Sequence, residues 1–351
     1  MLRAAPRRLA TLSLTAAMAV LVPLAPASAR TALEPVIPTF GTTFHAVWPQ
    51  YSNAGRERVL DRLAAAGVEW VRIDMMWKYA EPSAGVDDPV TYGRLDFAVD
   101  QARARGLKVL IDVFGTPGWA NGGKGTTVPP SDASAFGRFA ERLASRYRGR
   151  VSAWEVWNEP NLSRFWTGSV DEYVALLKAG YAGLKAGDPG ARVLLGGISQ
   201  NDYAFLSKAY AAGAKGFFDV LATHVYTGPS DAPPETDWSY NATATLRNVM
   251  VRAGDSVKPI WFTEFGWSTH VNDGSERPWE RGVSEQLQAD YLARALRLVA
   301  ERYPYVTQMF WYMERDVSYW NDQEDGFGLL GEDLSPKLAY TTVRELFRPA
   351  S

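Results

Sequence analysis

Two glutamates that end apolar runs are the residues best suited to do chemistry. Glu159 closes the run Trp154-Glu155-Val156-Trp157-Asn158-Glu159, and Pro160 follows it. Proline has no N–H to offer a ladder, so a strand here must stop at Glu159 and leave its carboxylate at the strand's end. Alternation along a strand places Glu155, Trp157 and Glu159 on one side, with Glu155 deeper and structural. Read alone, Asn158, Glu159 and Pro160 are equally well turn residues. Glu264 ends Ile260-Trp261-Phe262-Thr263-Glu264. An unpaired carboxylate there would cost several kcal/mol to bury, so it must be paired, hydrogen-bonded or functional. Arg72, in Val71-Arg72-Ile73-Asp74, is the cation expected to hold it ionised. Two carboxylates about 5 to 5.5 Å apart suit double displacement at a glycosidic bond, one as nucleophile and one as acid/base. The negative charge of Glu264 is then expected to raise Glu159 and keep it protonated until the nucleophile is consumed.

Something must bring these distant residues together. Short β-branched and aromatic runs predict strands over 40–46, 70–74, 109–114, 153–157, 193–196, 220–224, 260–264 and 307–311. Amphipathic patterns predict helices over 56–66, 95–105, 131–147, 170–186, 203–212, 242–253, 285–302 and 336–347. Eight strands, each followed by a helix, predict an α/β fold, a single-domain (β/α)8 TIM barrel. Helix-to-strand links such as Gly67-Val68-Glu69 are short, whereas 115–130, 226–241, 266–284 and 312–335 are long and all follow strands. All the long loops would emerge on one rim, where barrel enzymes keep their chemistry. A doubly wound open sheet competes, but no Gly-rich phosphate fingerprint follows the first strand.

Composition narrows the partners. Residues 1–29 carry Arg3, Arg7 and Arg8, an apolar run to Leu24 and Ala27-Ser28-Ala29, the layout of a secretory signal peptide. Arg7-Arg8 leaves twin-arginine export open beside the general route. Residues 30–351 are then the catalytic domain, and the protein is expected to be secreted, with no stable membrane association after cleavage. A formal charge of −2 and the absence of a basic run argue against nucleic acid. The chain has no cysteine, hence neither disulfide nor thiolate metal site. The 13 Trp, 16 Tyr and 15 Phe, many in loops, suit an oligo- or polysaccharide partner, because rings and sugar faces stack. No cofactor is called for, and nothing in the sequence reports an oligomeric state.

The run from Trp154 to Leu162 with Phe165-Trp166, together with the strand-seven Glu264, resembles the clan A retaining glycoside hydrolases, family 39 first and the cellulase-like family 5 as near relative. The resemblance implies that Glu159 is the acid/base, Glu264 the nucleophile, and Asn158 a hydrogen-bond partner of the sugar 2-hydroxyl. It implies further that Arg72 orients Glu264, that His224 and Tyr226 line the subsite with Tyr226 reaching the nucleophile, and that Trp311 forms the floor under the sugar ring. The chain lacks the appended β-sandwich of longer family 39 xylosidases, which weakens transfer of their substrates.

Other candidates carry less. His45 is as well a satisfied rim histidine as a ligand to sugar hydroxyls, and Trp119 is a candidate for sugar contact. Among Trp48, Trp119, Trp267, Trp279 and Trp320, about half are expected to be packing. Asp74 can bridge Arg72. Asp322, Glu324 and Asp325 could bind calcium but read better as a solvated loop. Asn161-Leu162-Ser163 and Asn241-Ala242-Thr243 match the glycosylation pattern. A metal-dependent barrel hydrolase has only His45, His224 and His270 to draw on, none in a His-x-His pair. A catalytically inactive sugar-binding barrel would dispense with one carboxylate, and both are present.

Overall fold

The structure is a computed structural model that describes Met1, residues 36–319 and residues 322–347. The signal-peptide reading of residues 1–29 lies, apart from Met1, outside the described residues, as do Trp320 and the side chain of Asp322. The described residues from 36 onward make one compact unit.

All eight predicted strands form: β1 (Thr39–Thr43), β2 (Trp70–Met76), β3 (Lys108–Phe114), β4 (Ala153–Asn158), β5 (Arg192–Ser199), β6 (Val220–Val225), β7 (Ile260–Phe265) and β8 (Val306–Trp311). They pair in parallel in chain order, and β8 returns to β1 to close the barrel. The helices are α1 (Asn53–Ala65), α2 (Trp77–Ala80), α3 (Pro89–Ala104), α4 (Gly118–Asn121), α5 (Ala133–Arg146), α6 (Val170–Gly187), α7 (Tyr203–Ala211), α8 (Trp238–Arg252), α9 (Glu285–Arg302), α10 (Asp322–Asp325) and α11 (Leu338–Phe347). Short side chains cap their starts. Asp88 accepts from the Thr91 N–H at α3, Asp237 from Ser239 at α8, and Ser169 forms a capping box with Glu172 at α6. The caps explain why α3 and α8 begin several residues before their apolar periodicity does.

The barrel has two interiors stacked along its axis. Trp70, Leu110, Ala153, Leu194, Val220, Ala222, Trp261 and Phe310 come from seven strands and form a cluster separate from the main one beneath the helices. They fill the lower barrel, with Trp70 and Trp261 edge to face at 5.2 Å. Two residues further along the strands, the inward side chains turn polar. Asp74 is level with Asp112, and Asp112 with Glu155. The register slips between Leu195 and Ile198, at Thr223/His224 and between Phe262 and Phe265. Such irregularities re-aim side chains at a barrel rim.

Candidate active site

The site rests on Arg72, a buried cation whose five N–H donors are all taken. Its Nε donates to Glu155 (2.8 Å), Nη1 to Asp74 (3.2 Å) and Glu264 (2.9 Å), and Nη2 to Asp112 (3.0 Å) and Asn158 (3.0 Å). Four carboxylates thus converge on one guanidinium. Burial alone would lower Arg72, but Glu155, Asp112, Glu264 and Asp74 raise it well above its ordinary value. The surplus of negative charge falls on Asp112, which burial pushes far up and Arg72 only partly restores. Among the described residues no group of three or more His, Asp or Glu is placed to hold a metal ion, and Arg72 occupies the centre where these carboxylates meet.

Glu264 and Glu159 both line a cavity of about 430 Å³ at the C-terminal ends of the strands. Glu264 accepts from Arg72 on one oxygen and from the Tyr226 hydroxyl on the other, at 2.7 Å. Burial and the Glu264 charge raise the Tyr226 phenol well above its ordinary value, so it stays a donor. His224 lies between the two glutamates. Its Nδ1 is 3.0 Å from Glu159 Oε1 and 3.5 Å from Glu264 Oε2. Those two oxygens therefore cannot be farther apart than the two lengths laid end to end, roughly 6.5 Å, the lower edge of the inverting range and compatible with the retaining one.

The proton balance differs from expectation. Burial would raise Glu159, but the hydrogen bond and charge of His224 outweigh it and hold Glu159 below its ordinary value. For Glu264 burial wins: His224 and Arg72 lower it, Glu159 raises it, and the net direction is up. Burial would lower His224, but Glu264 and Glu159 together raise it. The direction for Glu159 is thus set by His224 across the 3.0 Å contact rather than by repulsion from Glu264.

Local backbone sets the aim of Glu159. Trp157 has φ 78° and Glu159 φ 42°, both in the left-handed region that non-glycine residues enter at a cost. The predicted alternation of Glu155, Trp157 and Glu159 on one side therefore fails at Trp157. Its ring packs outward on Phe136 of α5 (6.4 Å) and on Trp166 (5.0 Å), while Asn158 and Glu159 both line the cleft. The Glu159 N–H is tied to the Gly197 carbonyl at 3.1 Å. Glycine is required at 197 because a Cβ there would stand 2.1 Å from His224 Nε2 and 2.8 Å from Glu155 Oε1. Asn158 gives its Oδ1 to Arg72, which leaves its amide N–H groups as what it can offer a ligand.

The remaining predicted residues divide. His45 lines the cleft, its Nδ1 3.0 Å from Glu314, which also accepts from Tyr51 at 2.7 Å. Asp74 bridges Arg72 and also lines the cleft. His224 lies fully buried beneath the carboxylates instead of lining the subsite. Trp311 is a correction: it is fully buried, donates its indole N–H to the Phe327 carbonyl (2.8 Å) and packs edge-on against Phe265 (5.3 Å). It offers no face to a sugar. Tyr312, the next residue, lines the cleft beside Tyr226 and Phe327. The signal was present, because Phe310 points inward and period two sends Tyr312 there as well. Trp119 is a second correction. It packs against Trp77 (5.6 Å) and donates to the Glu81 carbonyl (2.8 Å), away from the cleft. Trp48, Trp267 and Trp279 line the cavity, with Trp267 buried and Trp279 exposed. The amides of Asn161 and Asn241 are engaged with the Ser199 and Asp237 carbonyls.

Residues 32–314 match the model of the cellulase family, glycosyl hydrolase family 5. The chain belongs to that family. The sequence motifs resemble family 39 first, with family 5 as near relative, and similarity to known proteins spans both. Over 214 residues this family 5 chain is 27% identical to a beta-xylosidase of Caldicellulosiruptor saccharolyticus, covering 52% of the chain and 42% of the xylosidase. Over 257 residues it is 31% identical to the probable glucan 1,3-beta-glucosidase A of Aspergillus fumigatus, covering 66% of the chain and 56% of that protein. The matches thus span about half the length of these relatives. In fold it is similar to a family 39 glycoside hydrolase from Bacteroides cellulosilyticus (TM-score 0.72, 23% identity, 90% of this chain and 65% of that one). It is also similar to the GH5_18 protein of Streptomyces cattleya solved with GlcNAc (TM-score 0.71, 19% identity, 90% and 81%).

Proposed function

We propose that this family 5 chain is an exported retaining β-glycosidase that hydrolyses an oligo- or polysaccharide by double displacement. The single observation that carries the reading is that Glu159 and Glu264 oxygens lie within 3.0 and 3.5 Å of one imidazole nitrogen in a common cavity. That spacing leaves room for a glycosidic bond but little for the extra water an inverting enzyme places between its carboxylates. In the first step Glu264 attacks the anomeric carbon, and Glu159 gives its proton to the departing oxygen. The glycosyl–oxygen bond breaks as the glycosyl–enzyme ester forms. In the second step Glu159 takes a proton from water, which attacks the same carbon and releases Glu264.

Roles follow from the neighbours. Arg72 and Tyr226 both donate to Glu264 and favour its ionised form, the form that attacks. Glu159 lies 3.0 Å from the His224 Nδ1, a titratable neighbour that can pass it the proton it must donate, and the leaving oxygen supplies the acceptor. Consumption of the Glu264 charge in the ester then favours ionised Glu159, as its role of base requires. The named relatives suggest β-xylosides and β-1,3-glucosides as the first substrates to try.

The deciding experiment is hydrolysis of aryl β-glycosides by wild type, Glu264→Ala and Glu159→Ala, with and without azide. Glu264→Ala with azide is expected to release an α-glycosyl azide, and Glu159→Ala a β-glycosyl azide. Exchanged products would reverse the roles, and an inverted wild-type product would abolish the covalent intermediate.

A further inference from the structure

The outer part of the cleft carries two cations that the proposed chemistry does not use. Arg164, on the loop after Glu159, and Arg281, on the loop after β7, both line the cavity. Their acidic neighbours stay at a distance: Glu324 is 3.8 Å from Arg164, and Asp231 is 3.7 Å from Arg281. Arginine pairs elsewhere close fully, as in Arg105–Asp61 (2.6 Å), Arg150–Asp100 (2.8 Å) and Arg294–Glu235 (2.6 Å). Arg138–Asp132 on the outer surface is also open at 3.8 Å, but Arg138 donates to Ser134 at 2.7 Å. Among the described residues neither cleft guanidinium makes a hydrogen bond short enough to count as one. The Arg164 side chain is 65% exposed and that of Arg281 43%, and an open ion pair at such exposure is worth about 0–1 kcal/mol, so it yields readily to a better acceptor.

Position gives these cations meaning. An arginine on open surface satisfies its donors with water, whereas one in a cleft loses that water when substrate enters. The entering glycan must then supply acceptors, and a carboxylate is the group that matches the guanidinium fork. Arg164 follows Glu159 by five residues on the loop that leaves β4, lines the same cavity and is held over the Phe165 ring at 4.7 Å, on the side of the residue that protonates the departing oxygen. It therefore stands on the leaving-group side of the bond.

We infer that the leaving-group half of the cleft is a site for a carboxylate-bearing sugar, recognised by Arg164 with Arg281 as a second cation on the rim. This rests on the glycosidase reading for its choice of sides. The test uses two aryl β-glycosides that differ only in bearing a ring carboxylate or a ring carboxamide. Their ratio of kcat/KM is compared between wild type and Arg164→Gln, which cancels intrinsic leaving-group differences. The ratio should fall about tenfold in the variant, and the wild-type preference should shrink in about 0.5 M NaCl. A ratio unchanged in Arg164→Gln overturns the inference. Calorimetric binding of both glycosides to Glu264→Gln reads the same preference without turnover. Equal affinities there overturn the anionic site, whereas tighter carboxylate binding without any wild-type hydrolysis would uphold the site and remove the glycosidase reading.

Discussion

Replacing Arg72 by methionine removes the guanidinium on which four carboxylates converge. Glu155 and Asp112 are both fully buried, so neither can recover its solvation from water. Breaking a buried pair by deleting one partner costs about 3–5 kcal/mol, because an uncompensated charge remains. For a barrel of this size that corresponds to a fall in Tm of roughly 5–8 °C at neutral pH, taking about 2 cal/mol/K of unfolding entropy per residue. The sign of the pH dependence is the sharper test. Asp112 is already raised well above its ordinary value in the folded state, and losing Arg72 raises it further, so the cost is absent at low pH, where folded and unfolded chains both hold the proton, and grows as pH rises toward the folded value. Arg72→Met should therefore be least damaged near pH 4.5 and most damaged near pH 7.5 (assay conditions, about these values). Thermal melts of wild type and variant across that range measure the difference. An equal loss of Tm at both ends would show that the guanidinium acts through packing alone and would refute the electrostatic account.

Three further outcomes follow from the site. Tyr226→Phe removes a donor to ionised Glu264, worth about 1.5–3 kcal/mol, so kcat/KM should fall roughly 10- to 100-fold. Because the lost bond favoured the ionised form, the acid limb of the pH profile should move to higher pH, and an unmoved limb would contradict the role given to the phenol. Glu264→Gln relieves repulsion where Glu264 is already raised, and should increase Tm by roughly 1–3 °C at neutral pH, a gain that vanishes as pH falls below the Glu264 value. A destabilised Glu264→Gln at neutral pH would mean the ion pair with Arg72 outweighs the crowding. Tyr312→Ala should raise KM with a modest change in Tm, whereas Trp311→Phe should lower Tm and leave KM nearly alone; the reverse pattern would return Trp311 to the cleft.

Much of the barrel was legible because its strands are apolar runs separated by capped amphipathic helices, a period-two against period-3.6 contrast that short-range reading detects. Glu159, Glu264 and Arg72 were legible for a related reason: a carboxylate ending an apolar strand requires a partner, and few partners exist; Tyr226 came only from the resemblance to the clan A hydrolases. What escaped depends on distance in space. His224 was expected to line the subsite, yet its ring sits below both glutamates, in room that Gly197 leaves on the neighbouring strand. Without that placement the sign of the Glu159 shift could only be guessed from Glu264, and it came out reversed. The left-handed backbone at Trp157 was equally hidden, since alternation assumes extended residues throughout. Asp112 was not singled out within the run 109–114, because only the closed barrel sets it against Arg72.

These hidden features share a physical purpose. A carboxylate acts as an acid at one step and a base at the next only if its geometry survives the change of charge, so its position must be determined by more than its own ion pairs. Arg72 spends all five donors, which denies it any other orientation, and Asn158 is thereby fixed with its amide outward. Glu159 is held by a strained backbone, by the Gly197 carbonyl and by His224, three restraints of which only the last involves its charge. Strain of about 1–3 kcal/mol at each left-handed residue is sustained because Trp157 is locked among Phe136 and Trp166 outside the barrel. The aromatic packing behind β4 therefore helps to fix the position of Glu159, although none of its rings lines the cleft.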